Sequence, residues 1–225
     1  MATPVRKHRS NRAWIQRHVT DPFVQAAVKA GYRSRAAFKL AEIDDKERLL
    51  RPGAIVVDLG AAPGSWTQVV RERLAARDAT LRGTIVALDL LPIEPLPDVQ
   101  ILQGDFREQA VADALAAALD GRRVDVVLSD MAPNLSGIAA VDAAASALLA
   151  ELAIEFALAH LKPGGALVLK AFHGSGYSQL VEALKRSFRT VASRKPKASR
   201  EESAETFLVA RQPRTLSTGE TPAKA

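Results

Sequence analysis

The sequence predicts an α/β fold in which helices cover both faces of a doubly wound, mostly parallel seven-stranded sheet with one antiparallel strand. Three observations support this Rossmann-like arrangement. Short apolar runs alternate with helical patterns, the last two runs follow each other closely, and a glycine-containing turn joins the first run to a helix. At 225 residues, the chain is long enough for one domain around a single core.

The strands are predicted from short runs rich in β-branched residues, which are typical of strands buried on both faces of a sheet. These runs span residues 54–59, 83–90, 99–104, 124–130, 164–172, 188–194 and 207–211. Because no long helix separates the last two runs, they predict one antiparallel strand.

Capping residues place the first helices. Asp21 and Pro22 are typical of a helix start, Gly31 of a helix end, and Ser34 can cap a second helix. Further helical patterns span residues 65–77, 107–119, 140–161 and 175–187. We therefore expect a domain over residues 21–212, preceded by a flexible basic arm (1–20) and followed by a disordered tail (213–225).

The net charge of +6 is concentrated in two segments, residues 1–20 and residues 185–200, which carry basic side chains without intervening acids. Such clusters indicate a polyanionic partner, most often nucleic acid, although a solubilising surface is the alternative. No apolar run reaches the roughly 18 residues of a membrane span, so no membrane partner is expected. The sequence has no cysteine, which excludes disulfides and thiolate chemistry.

The turn after the first strand, VVDLGAAPGSW (56–66), predicts a ligand site. Ligands of open α/β sheets lie beyond the carboxyl ends of the strands. The spacing of Gly60 and Gly64 lacks the third glycine of a dinucleotide loop, and no Lys-Ser/Thr follows as in a phosphate-binding loop. The remaining interpretation is a ligand without phosphates, a nucleoside joined to an amino acid such as S-adenosylmethionine. Asp58 would hold its amino group directly or through water. A purely structural turn is the alternative.

Acidic residues end the next two strands as well. Asp89 is placed to accept hydrogen bonds from ribose hydroxyls, and Asp105 from an adenine amino group with Phe106 packed near the ring. Each acid alone is explained equally well as an ordinary cap. Three acids at three successive strand ends indicate one shared cleft.

Opposite charges end the fourth and fifth strands, at Asp130 and Lys170. A structural salt bridge is one interpretation, and removal of a proton from a hydroxyl group is the other. A lysine normally keeps its proton up to about pH 10.4. Burial and a second cation favour the uncharged amine, whereas Asp130 orients the amine and opposes this effect. Lys39 is the candidate second cation, and Glu205 is the candidate to complete the set. The four histidines lack ligand spacing, so no metal is expected.

Several strings together resemble the FtsJ/RrmJ (RlmE) family of S-adenosylmethionine-dependent ribose 2′-O-methyltransferases, which have the class I methyltransferase fold. The strings are YRSRAAFKL, VVDLGAAPGSW, ALDLLP, LQGDF, SDMAPNLSG and LVLKAFHG. The resemblance implies a catalytic tetrad of Lys39, Asp130, Lys170 and Glu205. It also implies cofactor contacts at Gly64, Trp66, Asp89, Asp105 and Asp130. Ser65 departs from the family, which usually has a second glycine there.

The resemblance further implies that Lys170 acts as general base in an in-line displacement on a uridine 2′-hydroxyl in the A-loop of 23S ribosomal RNA. The product of the cofactor is then S-adenosylhomocysteine. We expect a cytoplasmic monomer that acts on the 50S subunit or its precursor. Relatives of the same fold modify transfer RNA or messenger caps. A ribosome-assembly factor without methyltransferase activity and a nucleoside-binding dehydrogenase are the alternatives.

Overall fold

The computed structural model describes residues 19–134, 136–174, 176–200 and 203–214. The segments predicted as a basic arm and a disordered tail lie outside this part of the chain, except for residues 19–20 and 213–214. In the described residues, no helix is both long and apolar enough to cross a membrane.

A seven-stranded sheet forms the centre of the described part. Its strands are β1 (Ile55–Leu59), β2 (Thr84–Asp89), β3 (Gln100–Gln103), β4 (Val124–Ser129), β5 (Leu161–Phe172), β6 (Phe188–Arg194) and β7 (Glu205–Pro213). The strand order is β3-β2-β1-β4-β5-β7-β6. β7 runs antiparallel to both of its neighbours, and the other pairs are parallel. The predicted mixed sheet with one antiparallel strand is confirmed.

Six helices flank the sheet in the described residues. They are α1 (Pro22–Ala30), α2 (Ala36–Glu47), α3 (Ser65–Leu74), α4 (Gln109–Ala118), α5 (Ala139–His160) and α6 (Tyr177–Ser187). The predicted caps lie where expected. Asp21 accepts a hydrogen bond from the Phe23 amide at 2.9 Å, and Gly31 ends α1 with a φ of 76°. The Ser34 hydroxyl accepts the Ala36 amide at 3.2 Å at the start of α2.

Buried side chains form a core on each face of the sheet. One cluster includes Leu115 of α4, Phe156 of α5 and Leu184 of α6. The other includes Leu40 of α2 and Trp66 of α3. Because consecutive strand residues point to opposite faces, each central strand contributes to both clusters, as expected for a doubly wound sheet.

Two element boundaries differ from the sequence prediction by three residues, and the others agree within two. β5 begins at Leu161 rather than at residue 164, because Leu161 pairs with Val124 before a shift in register. α3 ends at Leu74 rather than at residue 77, because the next residue, Ala75, bridges to Leu81. Both differences lie at the edge of the sheet away from the predicted cleft, so the site is unaffected.

Candidate active site

The turn between β1 and α3 requires its two glycines. Gly60 has a φ of 74°, and a Cβ atom there would lie 2.8 Å from the backbone of Met131. Gly64 has a φ of 103°, and a Cβ atom there would collide with the Arg33 guanidinium. The Arg33 guanidinium stabilises the turn, since it donates to the Pro63 carbonyl at 2.9 Å. Glycine therefore allows two other segments to approach the turn closely.

A cavity of about 440 Å³ opens beyond the carboxyl ends of β1, β2, β3 and β4. Its walls combine backbone, acidic side chains and apolar side chains: Gly60, Ala62, Leu88, Asp89, Leu90, Leu91, Gly104, Asp105, Phe106, Arg107, Asp130, Met131, Ala132, Pro133, Asn134, Ala145, Leu148 and Leu149. The size and mixed lining suit a nucleoside-sized ligand. The apolar contribution of Leu148 and Leu149 was missed by the sequence analysis, since no motif marks that part of α5.

Asp89 and Asp105 line this cavity, as predicted. Asp89 accepts the amides of Ala62 and Leu91, each at 2.8 Å, so its carboxylate also orders the glycine turn. Both oxygens of Asp105 accept hydrogen bonds from the Arg107 guanidinium, which hold the pKa of Asp105 below its usual range. The sequence analysis did not anticipate this pairing. A ligand that hydrogen-bonds to Asp105 must share the carboxylate with Arg107.

Phe106 also lines the cavity, and its position there agrees with the expectation of a ring near the ligand base. Its ring makes an edge contact with Phe156 of α5, with 5.8 Å between the centroids. This contact fixes the Phe106 ring against the core, so the ring is already in place before a ligand enters.

Asp58 lies beneath the turn rather than in the cavity wall. Its side chain is fully buried, and its Oδ2 accepts the Thr67 hydroxyl of α3 at 2.7 Å. Burial raises the pKa of Asp58 to about 7, and the nearby carboxylates of Asp130 and Asp89 act in the same direction. A contact from Asp58 to a bound amino group stays a prediction.

Trp66 and Ser65 begin α3 and point away from the cavity. The Trp66 indole donates to the Ala36 carbonyl at 2.8 Å and packs against Phe207, with 5.4 Å between ring centroids. The Ser65 hydroxyl lies 2.7 Å from that of Ser34. Ser65 is not among the residues with positive φ, so the serine costs no backbone strain. Gly64 and Trp66 as cofactor contacts stay predictions.

Lys170 and Asp130 meet where β5 lies beside the end of β4. Lys170 Nζ lies 3.1 Å from Asp130 Oδ1 and donates to the Asp130 backbone carbonyl at 2.5 Å. The contact with Asp130 Oδ1 is thus an ion pair without the alignment of a hydrogen bond. In the described residues, Asp130 Oδ1 and Asp58 Oδ1 are the two buried side-chain polar atoms without a hydrogen-bond partner. Asp130 lines the cavity whereas Asp58 does not, so Asp130 is the buried carboxyl of the two that favours a cationic ligand there.

Lys39 and Glu205 form a second ion pair next to the first. Lys39 Nζ of α2 lies 2.7 Å from Glu205 Oε1, at the start of β7. Ser199 donates to the same oxygen at 2.8 Å, which fixes the carboxylate. Glu205 is opposite Phe172 in the β5–β7 register, two positions from Lys170. The structure thus brings together all four residues of the predicted tetrad.

The four charges influence one another. Burial raises the pKa of Asp130 above its ordinary value of 3.8, although Lys170 and Lys39 act in the opposite direction. Burial also acts to raise the pKa of Glu205, but Lys39, Ser199 and Lys170 outweigh it and the net change is downward. The surroundings therefore favour the charged form of Glu205, whereas burial favours the neutral form of Asp130.

The basic segment 185–200 is only partly free for a polyanion. Arg194 donates to Glu47 Oε1 of α2 at 2.7 Å, and Lys185 pairs with Glu182 at 2.9 Å. Arg194 thereby joins β6 to α2. In the described residues, no group of three or more histidine, aspartate or glutamate side chains is arranged to hold a metal ion.

Comparisons with known proteins agree with this geometry. A family model described as FtsJ-like methyltransferase matches residues 32–213. A relative from Ralstonia nicotianae, named ribosomal RNA large subunit methyltransferase E, is 58% identical over 214 residues, which cover 92% of this chain and 97% of the relative.

Solved structures share the fold. A Plasmodium falciparum protein called a ribosomal RNA methyltransferase has a TM-score of 0.69 at 32% identity, covering 81% of this chain and 98% of the other. Human methyltransferase-like protein 13, solved in complex with SAH, has a TM-score of 0.54 at 16% identity, with 78% and 79% covered.

Proposed function

The chain belongs to the FtsJ-like methyltransferase family, and from this premise we propose that it methylates the ribose 2′-hydroxyl of a uridine in the A-loop of 23S ribosomal RNA. The names of its relatives support ribosomal RNA of the large subunit as the substrate. The single observation that carries the chemistry is the contact of Lys170 with Asp130, an acid that also lines the cavity.

S-adenosylmethionine fits the cavity as methyl donor. The turn at Gly60 leaves room for close approach of a ligand, and Asp89 and Asp105 offer acceptors for hydroxyl and amino groups. The Asp130 carboxylate lines the cavity, and its negative charge suits a ligand with positive charge. When bound, S-adenosylmethionine supplies a methyl carbon on a positively charged sulfur and leaves as S-adenosylhomocysteine.

Lys170 is the proposed general base. In its neutral form, its Nζ takes the proton of the ribose 2′-hydroxyl, so that the oxygen becomes nucleophilic. Asp130 orients the amine through its side chain and its carbonyl. Lys39 lies in the same charge cluster, and its ion pair with Glu205 fixes its position. Much of the acceleration is expected from positioning, because the reacting atoms must be aligned.

The net charge of +6 supports binding to ribosomal RNA. Basic side chains contact mainly phosphates, which gives an affinity that falls with salt and carries little sequence information. The shape of the large subunit or its precursor then supplies the specificity. The proposal places a monomer in the cytoplasm, where this substrate is made.

The test is methyl transfer from radiolabelled S-adenosylmethionine to large ribosomal subunits from a strain that lacks the protein, followed by mapping of ribose methylation. The wild type should modify one A-loop uridine, and Lys170→Ala should lose this activity. Lys162→Ala is the matched control, since Lys162 is on the same strand but pairs with Asp125 at the opposite edge. Equal methylation by wild type and Lys170→Ala would remove the role of Lys170. No methylation by the wild type would favour an assembly factor.

A further inference from the structure

We propose that the Phe172 ring is a stacking surface for an RNA base next to the reacting ribose. This inference rests on the proposed function and adds to it the chemical group that holds the substrate base. Phe172 ends β5, two residues after Lys170, and therefore lies on the same face of the sheet. Its ring centroid lies 6.0 Å from Lys170 Nζ.

Exposure distinguishes Phe172 from the other aromatic side chains. In the described part of the chain, it is the one phenylalanine, tyrosine or tryptophan that is exposed, at 41%. Burying a phenylalanine side chain stabilises a fold by roughly 1.5–3 kcal/mol. The exposed Phe172 ring does not make this full contribution to stability. The position of this open ring beside the tetrad, rather than its exposure alone, indicates a binding role.

The backbone that carries Phe172 is held rigidly. Phe172 pairs with Glu205 of β7, and the next residue, His173, donates its amide to the Ala204 carbonyl at 2.8 Å. The His173 ring packs on Tyr177 at the start of α6, with 4.2 Å between ring centroids. The strand end is therefore fixed on both sides, so the backbone position from which the Phe172 ring projects is set before RNA arrives.

RNA is the ligand that fits such a position. Sequence-specific proteins read unpaired RNA bases by splaying them out and stacking them on aromatic side chains. A base attached to a ribose whose 2′-oxygen reaches Lys170 passes close to a ring only 6.0 Å from the same amine. Stacking tolerates any base, so Phe172 would contribute affinity and placement while RNA shape decides which nucleotide is presented.

The alternative is that Phe172 acts only on Lys170, as a cation–π partner that positions the amine. The two roles predict different kinetics. Loss of a stacking surface weakens RNA binding and raises the KM for RNA. Loss of an amine-positioning contact lowers kcat and leaves the KM for RNA unchanged.

The variants are Phe172→Leu, which keeps an apolar side chain without a π-face, and Phe172→Trp, which restores one. Val28→Ala, at an exposed apolar residue of α1, is the control. With large subunits as substrate, Phe172→Leu should raise the KM roughly 5- to 150-fold, as for the loss of one stacked base, with kcat nearly unchanged. Phe172→Trp and Val28→Ala should resemble the wild type. Calorimetric titration with S-adenosylhomocysteine should be equal for all variants and thereby show that each is folded.

A second measurement detects stacking directly. A synthetic A-loop hairpin with the fluorescent base pyrrolo-cytidine at the target position should be quenched on binding by the wild type and Phe172→Trp, but not by Phe172→Leu at saturation. Three results would overturn the proposal. They are an unchanged KM for Phe172→Leu, a loss confined to kcat, and equal quenching by all variants. If the wild type methylates no ribose, the proposed function falls, and the fluorescence titration still decides the role of Phe172.

Discussion

The buried carboxyl of Asp58 makes the stability of the ligand-free protein depend on pH. Burial raises its pKa from the ordinary 3.8 to about 7, so the folded chain binds a proton more readily than the unfolded chain between these values. The free energy of unfolding therefore decreases as pH rises through this window and levels off above about pH 7. The full difference corresponds to about 4 kcal/mol lost at pH 8.

Asp58→Asn removes this titration while keeping the shape of the side chain. Relative to the variant, the wild type should lose about 2.5 kcal/mol of unfolding free energy between pH 5 and pH 8. The new amide group costs about 1–3 kcal/mol if it finds no acceptor, but this cost is the same at every pH. The test therefore uses the change with pH of the difference in unfolding free energy between the two proteins, and not the size of that difference at one pH.

Urea unfolding of both proteins at several values between pH 5 and pH 8, without ligand, measures this difference. Thr67→Val, which removes the hydroxyl that donates to Asp58, should shift the decrease to higher pH, since less then stabilises the charged form. Parallel pH profiles for wild type and Asp58→Asn would refute the reasoning and show that Asp58 is charged throughout.

Three further variants test the turn and the cavity. Gly60→Ala should destabilise the fold by roughly 1–3 kcal/mol in urea unfolding, because alanine is strained at a φ of 74° and its Cβ meets the backbone after β4. A normal transition midpoint would contradict the proposed need for close approach. Trp66→Phe should cost about 1 kcal/mol of stability through its lost hydrogen bond. Because the indole points away from the cavity, we expect unchanged S-adenosylhomocysteine binding in calorimetry, which would remove the Trp66 side chain from the predicted cofactor contacts; weaker binding would support that contact. Arg107→Met should tighten S-adenosylhomocysteine binding by less than about tenfold, because the ligand no longer shares Asp105 with an exposed cation; weaker binding would show that Arg107 itself contacts the ligand.

The hydrophobic pattern predicted the sheet well because strands buried on both faces are nearly continuous apolar runs. The error at β5 has a local cause. Pro163 and Gly164 resemble a turn, yet Leu161 still pairs with Val124 because a register shift accommodates them. Such tertiary pairing is not visible in the composition of one segment.

Some site residues lie where the sequence predicts them, and others do not. Positions at strand ends placed Asp89, Asp105 and Asp130 in one cavity, because parallel strands bring their carboxyl ends to one edge. Asp58 follows the same rule in sequence, but strand alternation puts it on the face covered by α3, where Thr67 closes over it. Which face a helix covers depends on packing across the whole sheet, and local pattern does not contain that information.

The contacts that fix the tetrad also escaped prediction. Ser199, which donates to Glu205, lies in the loop between β6 and β7, where the sequence has no periodic pattern. The exposure of Phe172 was also not predicted, because the rest of its strand is largely buried. In hindsight, the spacing of Phe172 two residues after Lys170 was the available signal, since it places both side chains on one face.

The direction of β7 places the end of this strand far from the cleft, which makes it a suitable site for a covalent label or linker. Glu205 begins this strand beside the end of β5, whereas Pro213 pairs with Phe188 at the far edge of the sheet. Nine residues of strand separate these ends by roughly 25–30 Å. A fluorophore or resin linker joined at Arg214 would therefore start well away from the cleft and leave its opening free.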